Sequence, residues 1–108
     1  MPMDAKILNR EILLPLWKIH ILHHADEGPL VGQWMLHELR EHGYEVSPGT
    51  LYPMLKRMEG HGWLRSTTPK AGGVHAPRSY RLTAEGRKVL AIVRRQLAEL
   101  QGEITPSA

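Results

Sequence analysis

Cysteine and phenylalanine are both absent from this sequence of 108 residues. Without cysteine the chain can form no disulfide, no thiolate metal site and no cysteine nucleophile. The absence of cysteine is also consistent with the cytoplasmic location that we predict. The six aromatic residues are three tryptophans and three tyrosines, so aliphatic side chains and methionine must fill most of the core.

Long hydrophobic runs are absent as well. The longest apolar-rich stretch, from Ile12 to Leu22, is too short to cross a bilayer and contains Lys18 and His20. The first residues lack the basic start and small-residue cleavage site of a signal peptide. The chain also lacks a nucleophile elbow, a phosphate-binding glycine loop and the histidine motif of zinc proteases. We therefore predict no membrane association, no enzymatic activity and no cofactor.

Positive charge is scarce in the first part of the chain and concentrated in the second. Residues 1–60 contain six Lys/Arg and eight Asp/Glu, a net charge of −2, whereas residues 61–108 contain eight and three, a net charge of +5. A basic half on a nearly neutral protein favours a polyanionic partner.

The stretch from Ser47 to Glu59 predicts a short helix with two different faces. A hydroxyl residue followed by Pro48 is typical of a helix start, with Ser47 as the cap. At 100° per residue, one face is aliphatic and comprises Leu51, Met54, Leu55 and Met58. The opposite face and its flanks carry small, hydroxyl or basic groups, at Gly49, Thr50, Tyr52, Pro53, Lys56 and Arg57. These groups suit a helix that enters a DNA groove, although the pattern alone also fits an ordinary solvated face.

Two more helices are predicted before this one, after a polar lead-in over residues 1–11. A helix from Leu14 to Ala25 is apolar around nearly its whole circumference, so it must bury more than one face; Pro15 either begins it or kinks a longer helix. A second helix, from about Val31 to His42, ends at a glycine typical of a left-handed cap. The helix from Val31 to His42 and the helix that starts after Ser47 are joined by a short turn, and the latter has a basic outer face. Together these two helices make a helix-turn-helix.

The basic part of the chain predicts a hairpin and a long helix. Leu64 to Thr68 and Ser79 to Leu82 are predicted strands, and the loop between them, a wing, carries Lys70, His75 and Arg78. Thr83 is expected to cap the last helix. A heptad-like stripe follows, at Leu90, Val93, Leu97, Leu100 and Ile104. We predict that this stripe packs against a second copy; packing within one chain is the alternative. The fold class is therefore mainly α with a small β-hairpin, a winged helix-turn-helix followed by a dimerisation helix.

Several of these motifs together resemble a known family. They are Ser47 to Pro53, Lys56 to Glu59, Gly62 to Leu64 and Tyr80 to Gly86, with Glu27 to Gly32 upstream. In order and spacing, from about residue 12 to residue 90, they resemble the signature of the PadR-type winged-helix transcriptional regulators. The wing departs from that pattern because it has few of the successive basic residues that relatives carry after the paired glycines.

The resemblance implies a homodimeric repressor that binds double-stranded DNA and whose operator affinity a small molecule or other signal can change. It implies the compact branch of the family, with a winged domain over 1–82, a dimerisation helix over 83–104 and a disordered tail over 105–108. The DNA-binding residues that we predict are Ser47, Gly49, Thr50, Tyr52, Pro53, Lys56, Arg57, Lys70, His75 and Arg78.

A cleft in the dimer is the predicted place for a hydrophobic or aromatic effector. Its expected lining is Leu13, Trp17, Ile21, Val93 and Leu97, with Trp17 as a flat surface; these residues are otherwise dimer core. Two other functions stay open. The sparsely basic wing fits a winged-helix module used only for protein contacts, and His20, His23 and His24 have spacings that suit a metal-responsive regulator or simply cover a helix C-terminus.

Overall fold

The computed structural model describes residues 2–68 and 77–106. Within these residues the chain forms five α-helices and three short strands, whose order follows the predicted helix-turn-helix and wing. Their bounds are α1 Ala5–Leu8, α2 Leu14–Glu27, β1 Leu30–Val31, α3 Gly32–Glu41, α4 Pro48–Gly60, β2 Leu64–Thr67, β3 Ser79–Leu82 and α5 Ala84–Ile104.

Pro15 is the second residue of α2, in its first turn, and the helical path continues into it from the preceding turns without a break. A π-helical turn, Asn9–Leu13, joins α1 to α2, and the Leu14 N–H donates to the carbonyl of Asn9. In an ordinary α-helix the proline ring would collide with the carbonyl four residues earlier. The wider π turn immediately before Pro15 accommodates the ring and keeps the helix continuous.

The sheet has three strands, one more than the predicted hairpin. β3 lies in the middle and pairs in antiparallel fashion with both β2 and β1. Leu64 and Leu82 face one another toward the core, as the alternating pattern predicted, while Arg65 and Arg81 are opposite one another on the exposed face. β1 contributes Leu30 to the core from a segment that had been expected to be turn and helix.

One apolar core joins the helices to the sheet. Its members come from α2, α3, the α3–α4 connection, α4, all three strands and the first half of α5: Trp17, Ile21, Leu22, Ala25, Leu30, Met35, Leu36, Leu39, Val46, Leu51, Met54, Leu55, Met58, Leu64, Tyr80, Leu82 and Leu90. The turn between α3 and α4 uses Gly43 in the left-handed region, at φ 92°, where a side chain would be strained. Thr83 caps α5 as predicted, because its hydroxyl oxygen accepts from the Gly86 N–H at 2.9 Å.

The molecule is longer than a compact domain of its size. The radius of gyration is 15.6 Å, whereas a compact domain of this length has one of about 13 Å. The far half of α5 extends beyond the core, since no side chain beyond Leu90 on that helix is buried. In the described parts of the chain, no helix is both long enough and apolar enough to cross a membrane.

Candidate nucleic-acid interface

The two faces of α4 are separated as predicted. All four aliphatic side chains of its inner face are buried in the core. On the outer face Tyr52 is 44% exposed, and Pro53, Lys56 and Arg57 are exposed. Across residues 2–68 and 77–106, Lys56 and Arg57 take part in no ion pair. These two cations are therefore available to an external anion.

The start of α4 differs from the prediction in the role of one hydroxyl. The Ser47 side chain does not cap the helix, and its backbone carbonyl accepts from the Thr50 and Leu51 N–H groups at 3.1 and 3.0 Å. The Ser47 Oγ atom lies 3.2 Å from the Thr50 Oγ1 atom instead. The helix tip thus presents a pair of hydroxyls. A Cβ atom on Gly49 would meet only the Ser47 hydroxyl, at 3.8 Å, so the surface there is open.

Tyr52 is positioned by a glycine of the preceding helix. A Cβ atom at Gly32, the first residue of α3, would come within 2.6 Å of the Tyr52 Cε1 atom. The ring therefore lies directly against the α3 backbone. Tyr52 also lines a cleft of 260 Å³ that contains Tyr80 and Arg78 at the base of the wing. Tyr52 on α4 and Arg78 on the wing consequently belong to one surface.

Glu59 connects the end of α4 to the wing. Its Oε2 atom accepts from the Ser66 N–H at 2.9 Å and also from the Ser66 hydroxyl. The hydroxyl hydrogen bond is the main reason why the pKa of Glu59 lies below its usual value. Ser66, rather than the neighbouring Arg57, is therefore the partner of Glu59.

The wing is only partly described. Lys70 and His75 lie outside the described residues, and Arg78 is exposed beside β3. Arg65 and Arg81, which are not among the predicted DNA-binding residues, are directly opposite one another on the outer face of the sheet. Like charges in this position destabilise a sheet, so the pair suggests a surface that meets anions. The alternation of the two predicted strands already indicated that both arginines face outward. Arg65 follows the inward-facing Leu64, and Arg81 precedes the inward-facing Leu82.

The stripe predicted for dimerisation divides into two parts. Leu90 is 2% exposed and belongs to the core of its own chain, because the first turns of α5 pack against α2 and β3. Leu90 therefore has little surface left for a second copy. Val93 and Leu97 are half-buried, and Leu100 and Ile104 are 48% and 66% exposed.

The expected effector cleft has a different lining. Trp17 and Ile21 are in the core, so the prediction that Trp17 offers an open flat surface is wrong. These residues are four apart and share the face of α2 that meets the helix-turn-helix. The opposite face, with Leu16, Ile19 and His20, opens onto a cleft of 370 Å³ between α2 and α5. Of the predicted lining residues, only Leu97 lines this cleft, whereas Leu13 and Val93 are half-buried outside it.

The three histidines of α2 are not grouped together. His20 packs against the rings of His42 and Tyr44, with centroids 4.9 and 5.5 Å apart. Burial is the main reason why the pKa of His20 is lowered, and the neighbouring His42 adds to the effect. His23 and His24 instead share Glu27 as a neighbour.

Comparison with known proteins agrees with this architecture. Residues 21–92 match the sequence profile of the transcriptional regulator PadR-like family. The chain is 46% identical over 95 residues to the transcriptional regulator Rv3488 of Mycobacterium tuberculosis, a match that covers 88% of each chain.

Solved structures have the same fold. A PadR family transcriptional regulator from Eggerthella lenta superposes with a TM-score of 0.71 at 29% identity, covering 95% of this chain and 94% of the other. A PadR-like regulator from Bacillus cereus has a TM-score of 0.74 at 20% identity, covering 90% and 91%, and supports the fold alone. With a profile match over most of the winged domain and a close curated relative, this chain belongs to the PadR-like family of transcriptional regulators and is not an enzyme.

Proposed function

We propose that two copies of this chain form a repressor that binds double-stranded DNA, with α4 of each copy in the major groove. The observation that carries the proposal is the division of α4 into a fully buried aliphatic face and an exposed face with hydroxyls, a glycine and two cations free of ion pairs in the described chain. A two-fold dimer would present these helices about 34 Å apart, one turn of DNA.

Each exposed group has a role in this proposal. Lys56, Arg57 and Arg78 contact phosphates, since long cationic side chains seek the backbone of the duplex. Thr50 and Tyr52 offer hydroxyls to bases or phosphates, and Gly49 allows the backbone to approach closely. Ser47, Pro53, Lys70 and His75 complete the proposed interface. Arg65 and Arg81 are added to it because of their like-charged pairing on the sheet.

The exposed end of α5 supports the dimer. Leu100 and Ile104 expose large apolar side chains in the single chain, and burying apolar surface contributes about 25 cal/mol per Å². Ile7 and Ile12 expose similar side chains near the start of the chain. We propose that the second copy covers the far half of α5 together with this N-terminal segment.

The cleft between α2 and α5 is the proposed place for the signal. Its lining is mostly apolar, and Leu97 belongs both to the cleft and to the predicted stripe. A small hydrophobic or aromatic compound in this cleft would change the packing of α5 and so the spacing of the two α4 helices. Trp17 reports on such binding, because its ring packs edge-on against Tyr44, a lining residue, with centroids 5.9 Å apart.

A DNA-binding assay tests the central proposal. The purified protein is titrated into fluorescently labelled random duplex DNA at several salt concentrations, and the slope of log K against log salt is measured. Removing two phosphate contacts with Lys56→Ala and Arg57→Ala should reduce that slope by roughly 1.8, since each contact contributes about 0.9. A matched control, Lys88→Ala with Arg95→Ala, removes the same charge from exposed positions of α5 and should change the slope much less.

Two results would contradict the proposal. The first is no measurable binding of wild-type protein to DNA at low salt, which would favour a module for protein contacts. The second is an equal loss of slope in the α4 variant and in the α5 control, which would make the effect one of net charge rather than of position.

A further inference from the structure

The C-terminal turn of α2 brings three metal-binding groups together. The Glu27 Oε1 atom lies 3.5 Å from the His23 Nε2 atom and 3.0 Å from the His24 Nδ1 atom. One ligand atom of each residue lies within 4.8 Å of the other two. We propose that His23, His24 and Glu27 hold one divalent transition-metal ion of the zinc type, and that its binding detaches Arg94 of α5 from His23.

The spacing and the chemistry of the three groups both fit such an ion. Zinc binds imidazole nitrogen and carboxylate oxygen at about 2.0–2.2 Å, so ligand atoms in a tetrahedral site are roughly 3.3 Å apart. The two separations, 3.5 and 3.0 Å, lie on either side of that value. Two imidazoles and one carboxylate also favour zinc or nickel over calcium and magnesium, which prefer oxygen ligands. Three protein ligands leave a fourth position to water.

A carboxylate from the helix-turn-helix lies behind one of the ligands. The other nitrogen of His24, Nε2, is 3.8 Å from the Glu38 Oε1 atom on α3. A carboxylate behind a metal-bound imidazole orients the ring and increases its basicity. The same Glu38 oxygen lies 3.2 Å from the His42 Nε2 atom, so it is already directed toward this end of α3. The site would therefore tie α2 to the first helix of the helix-turn-helix.

Arg94 connects the other histidine to the last helix. Its Nη2 atom is 3.3 Å from the His23 Nδ1 atom. A guanidinium can only donate hydrogen bonds, so Nδ1 must be the acceptor and the ring proton must be on Nε2, facing Glu27. A metal needs the lone pair of Nε2. The ring proton must then move to Nδ1 through solvent, and an Nδ1–H group cannot accept from Arg94. Metal binding and the α2–α5 contact consequently exclude one another.

Zinc titration of the full chain, without DNA, tests the site. Isothermal calorimetry should show one zinc ion per chain, and His24→Ala and Glu27→Gln should each weaken binding about tenfold or more. His37→Ala removes an exposed histidine outside the cluster and should leave the affinity unchanged. Circular dichroism of each variant verifies that the fold is retained. Equal zinc affinity in wild type, His24→Ala and Glu27→Gln would overturn the site.

Two further measurements test the Arg94 step. Arg94→Gln should bind zinc more tightly than wild type, since no contact has to break first. Nitrogen NMR of the His23 ring should show the proton on Nε2 without zinc and on Nδ1 with zinc. An unchanged affinity in Arg94→Gln together with an unchanged tautomer would overturn the exclusion. Because no DNA is present, these outcomes are independent of the proposed repressor function.

Discussion

Two glycines of α5 should respond in opposite ways to the same substitution. Gly86 is buried in the first turn, where a Cβ atom would overlap the carbonyl oxygen of Trp63 and come within 2.5 Å of the Leu82 Cδ1 atom. The Trp63 carbonyl cannot easily move, because it accepts from the Thr83 N–H at 3.0 Å. Gly102 is exposed near the other end of the same helix, and a Cβ atom there would have no neighbour within 4 Å.

The expected magnitudes follow from these surroundings. Overpacking costs about 1–3 kcal/mol, while replacing glycine by alanine in a helix contributes up to about 1 kcal/mol of stability. With a backbone carbonyl as the obstacle, Gly86→Ala should lower the free energy of unfolding by about 2 kcal/mol. A domain of this size has roughly 5–15 kcal/mol in total. Gly102→Ala should instead raise the free energy of unfolding by about 0.5–1 kcal/mol.

Urea denaturation followed by circular dichroism measures both changes. Wild type and variants are compared at one protein concentration, because the stability of a dimer depends on concentration. Two results would contradict these expectations: a free energy of unfolding for Gly86→Ala within about 0.5 kcal/mol of wild type, or a loss of stability in Gly102→Ala as large as that in Gly86→Ala. The first result would mean that the contacts of Gly86 do not limit this turn, and the second that the surroundings of Gly102 are not open.

Three other substitutions test single contacts. Glu59→Gln should lower stability at neutral pH by about 1 kcal/mol, measured in urea; because the folded-state pKa of Glu59 is lowered, the difference from wild type should shrink as the pH falls through that pKa, and a constant difference would contradict the Ser66 contact. Gly32→Ala should displace the Tyr52 ring. It should therefore weaken DNA binding in fluorescence anisotropy while lowering the melting temperature only slightly; unchanged DNA affinity would remove Tyr52 from the interface. Leu100→Glu places a charge on an exposed position and should give folded monomers in light scattering, whereas an intact dimer would refute the predicted packing of α5.

Local patterns in the sequence determined much of the fold. The aliphatic face of α4, the glycine turn at Gly43, the cap at Thr83 and the alternation of β3 were all predicted and confirmed. Each depends on residues within a few positions of one another, through helical periodicity, backbone conformation or a local hydrogen bond. The division of α4 into two faces, on which the proposed DNA interface depends, is of this kind.

Tertiary contacts decided the features that local patterns left open. Leu30 and Val31 form a strand because β3 lies beside them, and two residues contain no period from which a strand could be predicted. α2 is apolar on nearly every side, so its pattern does not predict which face is buried. In the structure Trp17 faces the core and Leu16 faces the α2–α5 cleft. Leu90 likewise joins the core of its own chain because the start of α5 packs on α2 and β3. In each case the outcome depends on which surface a distant segment covers, and the free energy of that burial is a property of the assembled fold rather than of the local sequence.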